Sequence, residues 1–338
     1  MNGFWSDRPT LVTGATGLLG SWLVRALVDH GAAVVCLVRD WVPQSDLVRS
    51  GLLDRVRVVR GDVRDQPLLE RVLAGYDIVT VFHLAAQTIV GVAERDPAGT
   101  FDTNVRGTWT LLEAVRRTAP LAQVVVASSD KVYGPLGRRP ADESDPVQPG
   151  RAYETSKACA DLIARGYAQA YGLSVALTRC ANLFGGGDLH WDRLVPGTIR
   201  ALLRGERPVL RSNGRYLRDY LYVEDAVWGY LLLAERLAAD PTLTGQAFNF
   251  GLEQPLTARE MVERIAQVMG VAVEPVVLDA ARGEIVAQAL SAARARRLLG
   301  WQPQIGLEEG LRRTVAWYRE FLGAAPDPLP VGVEGWRW

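Results

Sequence analysis

The stretch from Val124 to Gly172 contains residues that together can transfer a proton. Ser129 follows an apolar, β-branched run, and Tyr153 and Lys157 lie four residues apart, which places both on one face of a helix. An ammonium group beside a phenol lowers the pKa of the phenol, so Tyr153 can act as a base or an acid. We therefore expect Tyr153 and Lys157 to act on a substrate oxygen that Ser129 holds.

Lysine usage points to the same stretch. Of the 38 basic residues only Lys131 and Lys157 are lysines, and both lie within it. Arginine carries the positive charge elsewhere, and an arginine side chain does not release its proton in a protein. This distribution favours ammonium chemistry at the two lysines over the alternative of a charged loop and an ordinary surface helix.

The surrounding sequence alternates between apolar strands and amphipathic helices with short connections, which is typical of a parallel, doubly wound sheet. Ligands bind such a sheet at the carboxyl ends of its strands. The predicted fold class is therefore α/β, with a Rossmann sheet and a smaller C-terminal substrate-binding domain of α/β type. We expect the dinucleotide-binding domain to comprise residues 8–181 plus 221–251, the second domain 182–220 plus 252–322, and an irregular tail 323–338.

A glycine turn between the first strand and the first helix predicts a dinucleotide site. Gly14, Gly17 and Gly20 recur every three residues. Residues without Cβ let the backbone amides at the helix start approach a pyrophosphate, where the helix dipole assists binding. The alternative is a purely structural turn between strand and helix.

The end of the second strand bears on the identity of the cofactor. Asp40 follows Gly20 by twenty residues, and a carboxylate at this distance would accept hydrogen bonds from the adenosine ribose. The adjacent Arg39 would instead favour a 2′-phosphate. We expect NAD, because Asp40 would repel that phosphate, and we leave NADP open.

Further cofactor contacts are expected where other strands end. Asp62 is a candidate partner for the adenine amino group, and Asn104, near the start of a helix expected over Thr100–Arg117, could tie strand ends together. His83 is expected to pack within its strand. The full set of expected cofactor contacts is Gly14, Thr16, Gly17, Leu18, Leu19, Gly20, Arg39, Asp40, Asp62, Val63, Leu84, Ala85, Ala86, Gln87, Asn104, Tyr153 and Lys157.

A segment rich in glycine, arginine and aromatic residues follows the sixth strand of this pattern and predicts loops and short elements that line a cleft. Its arginines could bind a diphosphate through bidentate hydrogen bonds, although any one of them could be a surface charge. These arginines are Arg204, Arg211, Arg215 and Arg218.

Composition bounds the partners and the compartment. The formal net charge is zero and 48% of the 338 residues are hydrophobic, which is typical of a soluble globular protein and gives no indication of nucleic-acid or membrane binding. The sequence contains neither a secretory signal nor an apolar run that could span a bilayer. Cys36, Cys159 and Cys180 show no pairing or metal spacing, so we expect a cytoplasmic protein without a metal.

Seven motifs together resemble those of the extended short-chain dehydrogenase/reductases that act on nucleotide sugars. They are TGATGLLG, GDVRD, HLAAQ, SSDKVYG, Tyr153-x-x-x-Lys157, RCANLFGGGD and LRDYLYVEDAV. The similarity extends from about Thr10 to Leu322. Within this group the chain looks most like the CDP-glucose 4,6-dehydratases, because of SDK before VYG, LHWDRLVPGTIR, and GEIVAQALSAARARRLLGW.

The resemblance implies a lyase reaction in which Tyr153, Lys157 and Ser129 remove the sugar O4 proton while C4 gives hydride to NAD. The 4-ketone then acidifies the C5 proton, and water leaves across C5 and C6. Asp130 matches the family residue that protonates the departing 6-hydroxyl, and hydride returning to C6 gives a 4-keto-6-deoxy sugar. The implied contacts to the nucleotide-sugar substrate are Gln87, Ser129, Asn182, Arg193, Arg211 and Arg218.

Lys131 departs from the pattern of many 4,6-dehydratases, which place a glutamate here as the C5 base, although the CDP-glucose branch is expected to carry lysine. A lysine can act as this base only if its pKa is lowered; otherwise the cation would stabilise the enolate. A salt bridge to Asp130 is the third interpretation of Lys131.

Two other functions stay open at this point. A nucleotide-sugar 4-epimerase would share Ser129, Tyr153 and Lys157 but would have no use for an acid at position 130. A dinucleotide-sensing protein without catalysis would usually lack the Tyr/Lys pair.

The resemblance also implies a homodimer that pairs through the Tyr153 helix and the Thr100–Arg117 helix. Ala160, Ile163 and Tyr167 fit that interface and fit core packing equally well.

Overall fold

The structure, a computed structural model, describes residues 3–281 and 283–323. In chain order its strands are β1 (Pro9–Thr13), β2 (Ala33–Val38), β3 (Arg57–Arg60), β4 (Thr80–His83), β5 (Gln123–Ala127), β6 (Val175–Cys180), β7 (Asn182–Phe184), β8 (Val209–Leu210), β9 (Leu217–Arg218), β10 (Tyr220–Tyr222), β11 (Ala247–Phe250), β12 (Leu256–Thr257), β13 (Val276–Val277) and β14 (Ala287–Gln288).

The helices of the described residues are α1 (Leu18–Asp29), α2 (Asp46–Arg49), α3 (Gln66–Gly75), α4 (Val90–Arg95), α5 (Pro97–Phe101), α6 (Gly107–Thr118), α7 (Ala152–Tyr171), α8 (Leu194–Leu203), α9 (Val223–Ala239), α10 (Ala258–Met269) and α11 (Leu307–Gly323). Two π-helical turns, Asp102–Arg106 and Ala295–Leu299, and a 3₁₀ turn at Asp130–Tyr133 connect them.

A seven-stranded parallel sheet in the order β11-β6-β5-β4-β1-β2-β3 forms the centre of the molecule. Its inner strands are apolar and β-branched, as in Val124–Val126 of β5, because helices cover both faces of the sheet. The carboxyl ends of these strands meet at one edge. The predicted α/β class with a Rossmann sheet is confirmed.

Two hydrophobic cores lie on opposite faces of this sheet. On one face α1 and α9 pack together, burying residues such as Leu23 and Leu233. On the other face α3, α6 and α7 bury residues such as Leu111 and Ala164. The helix α7 therefore stands over the sheet with its amino end at the carboxyl edge of the strands.

A third core joins the C-terminal helices to two short strands. It contains Ile199 of α8, Tyr222 of β10, Ile265 of α10 and Leu311 of α11. The small sheet β12-β9-β14 lies beside this core, with β9 parallel to β14 and antiparallel to β12. This part of the chain faces the carboxyl edge of the central sheet through Gln288 of β14 and Lys131.

Three segments differ from the sequence-based expectation. The helix expected over Thr100–Arg117 is interrupted by the π-helical turn, which separates α5 from α6. The loops expected after β6 contain the ten-residue helix α8, whose Pro196 and Gly197 made the helix hard to foresee. The helix expected over Ser291–Leu299 consists mainly of the π-helical turn Ala295–Leu299. The irregular tail expected over residues 323–338 lies outside the described residues, except for Gly323, which ends α11.

A buried ion pair between Arg179 of β6 and Asp161 of α7 braces the carboxyl edge of the sheet. The guanidinium donates to the carboxylate through Nε and Nη2, each at 2.9 Å, and both side chains are at most 1% exposed. Ser128 donates to the same carboxylate at 2.7 Å, and Arg179 Nη1 donates to the Tyr133 hydroxyl at 2.9 Å. Because Ser128 and Tyr133 flank Ser129, Asp130 and Lys131, one ion pair holds both ends of that segment.

The brace continues into β11. The Tyr133 hydroxyl donates to Asn249 Oδ1 at 2.7 Å, and Asn249 Nδ2 donates to the carbonyl oxygens of Ala141 and Ser291. Burial raises the pKa of Tyr133 to about 12, so its hydroxyl remains a donor at neutral pH. The hydrogen-bond chain thus joins α7, β6 and β11 to the segment after β5.

Replacing Asp161 with asparagine should lower the free energy of unfolding by about 3–5 kcal/mol, because the Arg179 charge would stay buried without a counter-ion. Urea denaturation followed by tryptophan fluorescence measures the change. Asp29→Asn is the matched control and should change the free energy little, since Asp29 pairs with Arg55 at 3.1 Å where both side chains are more than half exposed. Equal effects of the two substitutions would contradict the brace.

Candidate active site

Ser129 lies at the carboxyl end of β5 and caps the 3₁₀ turn that follows. Its Oγ accepts a hydrogen bond from the Lys131 amide at 3.2 Å and donates to Asp130 Oδ1 at 3.1 Å. Ser129 is 8% exposed and Asp130 is 4% exposed. The turn therefore holds a hydroxyl and a carboxylate in contact at the edge where the strands end.

Tyr153 and Lys157 lie in the first two turns of α7, as their spacing predicts. Glu154 anchors the start of this helix, because its carboxylate accepts hydrogen bonds from the amides of Gly150 and Arg151. Lys157 Nζ donates to the carbonyl oxygen of Ala127, two residues before Ser129 in the chain, at 2.8 Å. The structure thus brings Ser129, Tyr153 and Lys157 to one place.

The pKa of Tyr153 differs from the expectation. Burial raises it to about 12, and the hydrogen bond with Ser129 counteracts this only in part. In the free protein the pKa of Tyr153 therefore lies above its ordinary value, because removal of the phenol from water outweighs the favourable charges around it. Burial also lowers the pKa of Lys157 to about 8.

Lys131 points into the same group from the other end of the turn. Its Nζ lies 3.4 Å from Asp130 Oδ2 and donates to Gln288 Oε1 at 2.6 Å. Burial lowers the pKa of Lys131, the Asp130 charge opposes this change, and the Arg218 charge adds to it. Both the salt bridge to Asp130 and the lowered pKa considered for Lys131 are thus present together.

The glycine turn has the shape that a pyrophosphate site requires. Gly14 has φ of +72°, and a Cβ on it would lie 2.8 Å from the Ala85 nitrogen. A Cβ on Gly20 would lie 2.1 Å from the Gly14 oxygen. Among the described residues no side chain caps α1 at Gly17. The start of this helix, with Thr16, Leu18 and Leu19 around it, therefore offers backbone amides to an anion.

The residues that bear on NAD or NADP lie together just beyond β2. Arg39 and Asp40 are exposed and form an ion pair with each other at 2.6 Å. Farther along, Asp62 accepts from Arg64 at 2.7 Å, and this hydrogen bond lowers the pKa of Asp62. The neighbouring Val63 is buried.

The segment after β4 is held close to β1 and α7. Asn104 in the π turn accepts from the Gln87 amide at 2.7 Å and donates to Ser156 Oγ at 2.8 Å, so it ties the segment Leu84–Gln87 to α7. The amides of Leu84 and Ala85 both donate to Thr13 Oγ1 at 3.1 Å. Ala86 lies between these anchored positions.

The expected substrate residues divide into two groups. Arg193 at the start of α8 contacts Asp188 and Thr88 at 3.0 Å each, and its charge acts on the pKa of Tyr153. Arg218 lies close enough to Lys131 to affect its pKa. Arg211 instead pairs with Asp192 on the surface, where both side chains are more than 60% exposed.

The remaining candidates lie apart from this centre or at its border. Asn182 forms the start of β7, where its amide donates to the Asp219 carbonyl oxygen at 3.1 Å. Arg204 and Arg215 are exposed. Four arginines were expected to bind a diphosphate. Among the described residues, Arg218 is the one of these four whose charge affects the Ser129–Lys157 group, by lowering the pKa of Lys131.

Two features of the site were not foreseen. Gln288 contacts Lys131 from 157 positions away, and its place between two alanines carries no sign of this role. The second feature concerns His83, whose burial was expected but whose hydrogen bonds were not: its ring nitrogens contact the hydroxyls of Thr13 and Thr108 at 3.0 Å each. Burial, together with the Lys157 charge, lowers the pKa of His83 to about 3, so the imidazole is neutral.

Comparison with known proteins agrees with this geometry. Residues 10–251 match the model of the NAD dependent epimerase/dehydratase family. The chain belongs to this family. Two relatives are the CDP-glucose 4,6-dehydratase of Salmonella typhimurium, 32% identical over 94% of this chain and 92% of the relative, and the dTDP-glucose 4,6-dehydratase of Streptomyces griseus, 35% identical over 95% and 97%.

Solved structures of the family support the same placement. A dTDP-glucose 4,6-dehydratase from Streptomyces venezuelae with NAD bound has a TM-score of 0.84 and 32% identity, covering 93% of this chain and 98% of that one. UDP-glucose 4-epimerases are also among the relatives. The epimerase/dehydratase family thus includes both reactions that the sequence left open, and the homologues include NAD-dependent hydro-lyases that act on CDP- and dTDP-glucose.

Residues 3–281 and 283–323 also bear on membranes and metal ions as partners. Within these ranges no helix combines the length and the apolar character needed to cross a membrane. In the same part of the chain, no three His, Cys, Asp or Glu side chains are grouped so that they could hold a metal ion.

Lys157→Met should stabilise the protein without NAD at pH 7 by about 2 kcal/mol. The folded-state pKa of Lys157 is about 8, below the ordinary 10.5, so protonation opposes folding below pH 8, and this cost fades as the pH rises toward 10.5. This net change in the free energy of unfolding already allows for about 1 kcal/mol that is lost with the hydrogen bond to Ala127.

Unfolding by urea at a series of pH values from 7 to 10 measures this effect. The stability difference between Lys157→Met and the parent should shrink as the pH rises through 8. Arg165→Met on the same helix is the control, because arginine does not titrate in this range. A difference that stays constant over the series would rule out a buried ammonium at position 157.

Proposed function

We propose that this protein is a nucleotide-sugar 4,6-dehydratase, which converts an NDP-hexose to a 4-keto-6-deoxy sugar and water with NAD. CDP-glucose is the proposed substrate. The choice is supported by the Asp130-Lys131 pair after Ser129 and by the CDP-glucose 4,6-dehydratase relative. The dTDP-glucose relatives make dTDP-glucose the competing candidate.

The observation that carries the dehydratase proposal is the position of Asp130. Its carboxylate is buried and lies 3.1 Å from Ser129 Oγ, within the group that includes Tyr153. Loss of a hydroxyl as water requires an acid near the leaving oxygen, whereas epimerisation at C4 requires only the oxidation and reduction of C4. A second acid at this place therefore favours elimination.

Each polar residue then has one task. NAD, when bound, would supply the hydride acceptor for C4 and the hydride donor for C6. Ser129 donates to the O4 oxygen, Tyr153 takes the O4 proton, and Lys157 stabilises the phenolate by its charge. Lys131 takes the C5 proton, and Asp130 gives a proton to the departing 6-hydroxyl.

We infer the binding residues from the same edge. The glycine turn at Gly14–Gly20 would hold the pyrophosphate of NAD, Asp40 the adenosine ribose, and Asp62 and Val63 the adenine. The segment Leu84–Gln87 would line the nicotinamide. These assignments are supported by the open helix start at Gly17 and by the position of each segment after a strand of the central sheet.

Asn182, Arg193 and Arg218 would bind the phosphates of the nucleotide sugar, and Gln87 the sugar. The division into a dinucleotide-binding domain (8–181 plus 221–251) and a substrate domain (182–220 plus 252–322) is supported by the third core, because most of its buried residues lie in the second set of ranges. We place the protein in the cytoplasm because Cys36, Cys159 and Cys180 are free thiols.

Incubation with NAD and a panel of CDP-, dTDP-, UDP- and GDP-hexoses, followed by mass spectrometry, tests the proposal. Loss of one water from a single nucleotide sugar would establish the dehydratase and identify its substrate. A product of unchanged mass with an altered configuration at C4 would establish the epimerase instead.

Asp130→Asn should leave C4 oxidation near the parental rate and slow water loss by about a hundredfold or more, because the acid for the leaving hydroxyl is removed. Tyr153→Phe should abolish C4 oxidation itself. Stopped-flow absorbance of the reduced nicotinamide and rapid-quench mass spectrometry separate the two steps. Unchanged water loss in Asp130→Asn would remove the role given to Asp130.

We also propose a homodimer formed through α6 and α7. Ala160, one of three residues expected at this interface, is buried in the core, and Ile163 and Tyr167 pack against it. The exposed apolar side chains on these helices are Trp109, Leu162 and Tyr171, at 44%, 55% and 58% exposure. A contiguous patch of exposed apolar side chains on neighbouring helices would mark an interface.

Leu162→Asp should convert the dimer to a monomer near 37.0 kDa, because a carboxylate would lose its water at the interface. Sedimentation at micromolar concentration measures the mass. Leu278→Asp is the matched control, since Leu278 is equally exposed at 55% but lies away from α6 and α7, and it should stay dimeric. A parent protein that sediments as a monomer would overturn the dimer.

A further inference from the structure

Gln288 of β14 connects the C-terminal part of the molecule to the turn that holds Asp130 and Lys131. Its Nε2 donates to the Asp130 carbonyl oxygen at 2.5 Å, and its Oε1 accepts from Lys131 Nζ at 2.6 Å. The side chain is 5% exposed. Both ends of this amide are therefore used on one turn, away from bulk water.

The first hydrogen bond determines the second. The Asp130 carbonyl oxygen can only accept, so the NH₂ group of Gln288 must face it, and a flipped amide would place two oxygens in contact. The amide oxygen consequently faces Lys131. Lys131 must point one N–H at Gln288, whatever its protonation state.

The charged groups around Lys131 come from four elements. Asp130 lies on its own turn, with Oδ2 at 3.4 Å, and Glu154 lies on α7. Arg218 lies on β9, opposite Gln288 in the parallel pair β9–β14, and Glu284 pairs with Arg218 at 3.6 Å. Burial and Arg218 favour the neutral amine, whereas Asp130 and Glu154 favour the ammonium.

The neutral amine has two N–H bonds and one lone pair. Gln288 Oε1 and Asp130 Oδ2 are positioned to accept both N–H bonds, which leaves the lone pair to face another direction. An amine held in this way can receive a proton at a fixed orientation.

We propose that Gln288 is a positioning residue that orients Lys131 as the base for the C5 proton. The inference rests on the proposed dehydratase function. In the step it supports, the C5 proton passes to Lys131 Nζ and the C5–H electron pair forms the C5=C6 bond. The C6–O bond breaks and its electrons leave with oxygen, and Asp130, which carries the proton of the pair while Lys131 is neutral, supplies the proton that makes water.

Two substitutions test the proposal in the full-length protein with NAD and the nucleotide sugar that loses water in the panel. Gln288→Leu removes both hydrogen bonds. It should leave C4 oxidation within about twofold of the parent and slow water loss on the order of a hundredfold. Reduced nicotinamide should therefore accumulate in a single turnover.

Gln288→Glu keeps the length of the side chain, replaces the NH₂ group that faces the Asp130 carbonyl oxygen with an oxygen, and adds a negative charge beside Lys131. This charge should raise the pKa of Lys131, because it favours the ammonium. The rate of water loss should then require a higher pH than in the parent, while C4 oxidation keeps the parental pH profile. A purely structural contribution of Gln288 would not shift one step alone.

Gln304→Leu makes the same change at an exposed glutamine and should alter neither step. Equal slowing of both steps in Gln288→Leu, or an unshifted pH profile for water loss in Gln288→Glu, would overturn the positioning role. If Gln288→Leu does not fold, the pH profile of Gln288→Glu decides. If the parent protein releases water and Gln288→Leu releases it at the same rate, this inference alone is contradicted. If the parent protein releases no water from any sugar, the dehydratase proposal is contradicted as well.

Discussion

The ion pair of Arg179 and Asp161 is the constraint on which the geometry of the site depends. Neither charge reaches solvent, so each is stable in the interior only while the other stays in place. The same two side chains hold Ser128 and Tyr133. The short turn between those residues contains the hydroxyl, the carboxylate and one of the two ammonium groups. A charge pair outside the proposed chemistry thus sets the positions of the groups to which that chemistry is assigned.

Removal from water sets the electrostatic properties of the site as strongly as the neighbouring charges do. Burial raises the pKa of Tyr153 and lowers the pKa values of both lysines. Before a ligand binds, burial therefore shifts the protonation equilibrium of each of these groups toward its neutral form. The NAD-dependent relatives act on charged nucleotide sugars, and a positively charged nicotinamide beside Tyr153 would favour its phenolate. The charges of bound ligands would therefore change the protonation equilibria that burial sets in the free protein.

The sequence predicts the parts of the site that follow local rules. The spacing of Tyr153 and Lys157 places both on one helical face, and the apolar run before Ser129 places that hydroxyl at a strand end. The resemblance adds Asp130 and the family, and the comparisons confirm the family. The glycine spacing predicts the first strand–turn–helix unit for the same local reason.

What the sequence did not predict depends on distant packing. Gln288 meets Lys131 only because β14 pairs with β9 beside the turn, and nothing near Gln288 in the chain signals that contact. The raised pKa of Tyr153 results from burial, which is a property of the assembled site. The helix α8 was missed because Pro196 and Gly197 are rare within helices, although the third core stabilises them there.

The scarcity of lysine has a practical consequence for chemical labelling. Both lysines of the chain belong to this one site, and the arginines that carry the remaining positive charge do not react with acylating or reductive-methylation reagents. Lysine modification, read by peptide mass spectrometry, is therefore a footprint of a single site with almost no background from other lysines. Different modification rates at positions 131 and 157 would report separately on the two parts of that site.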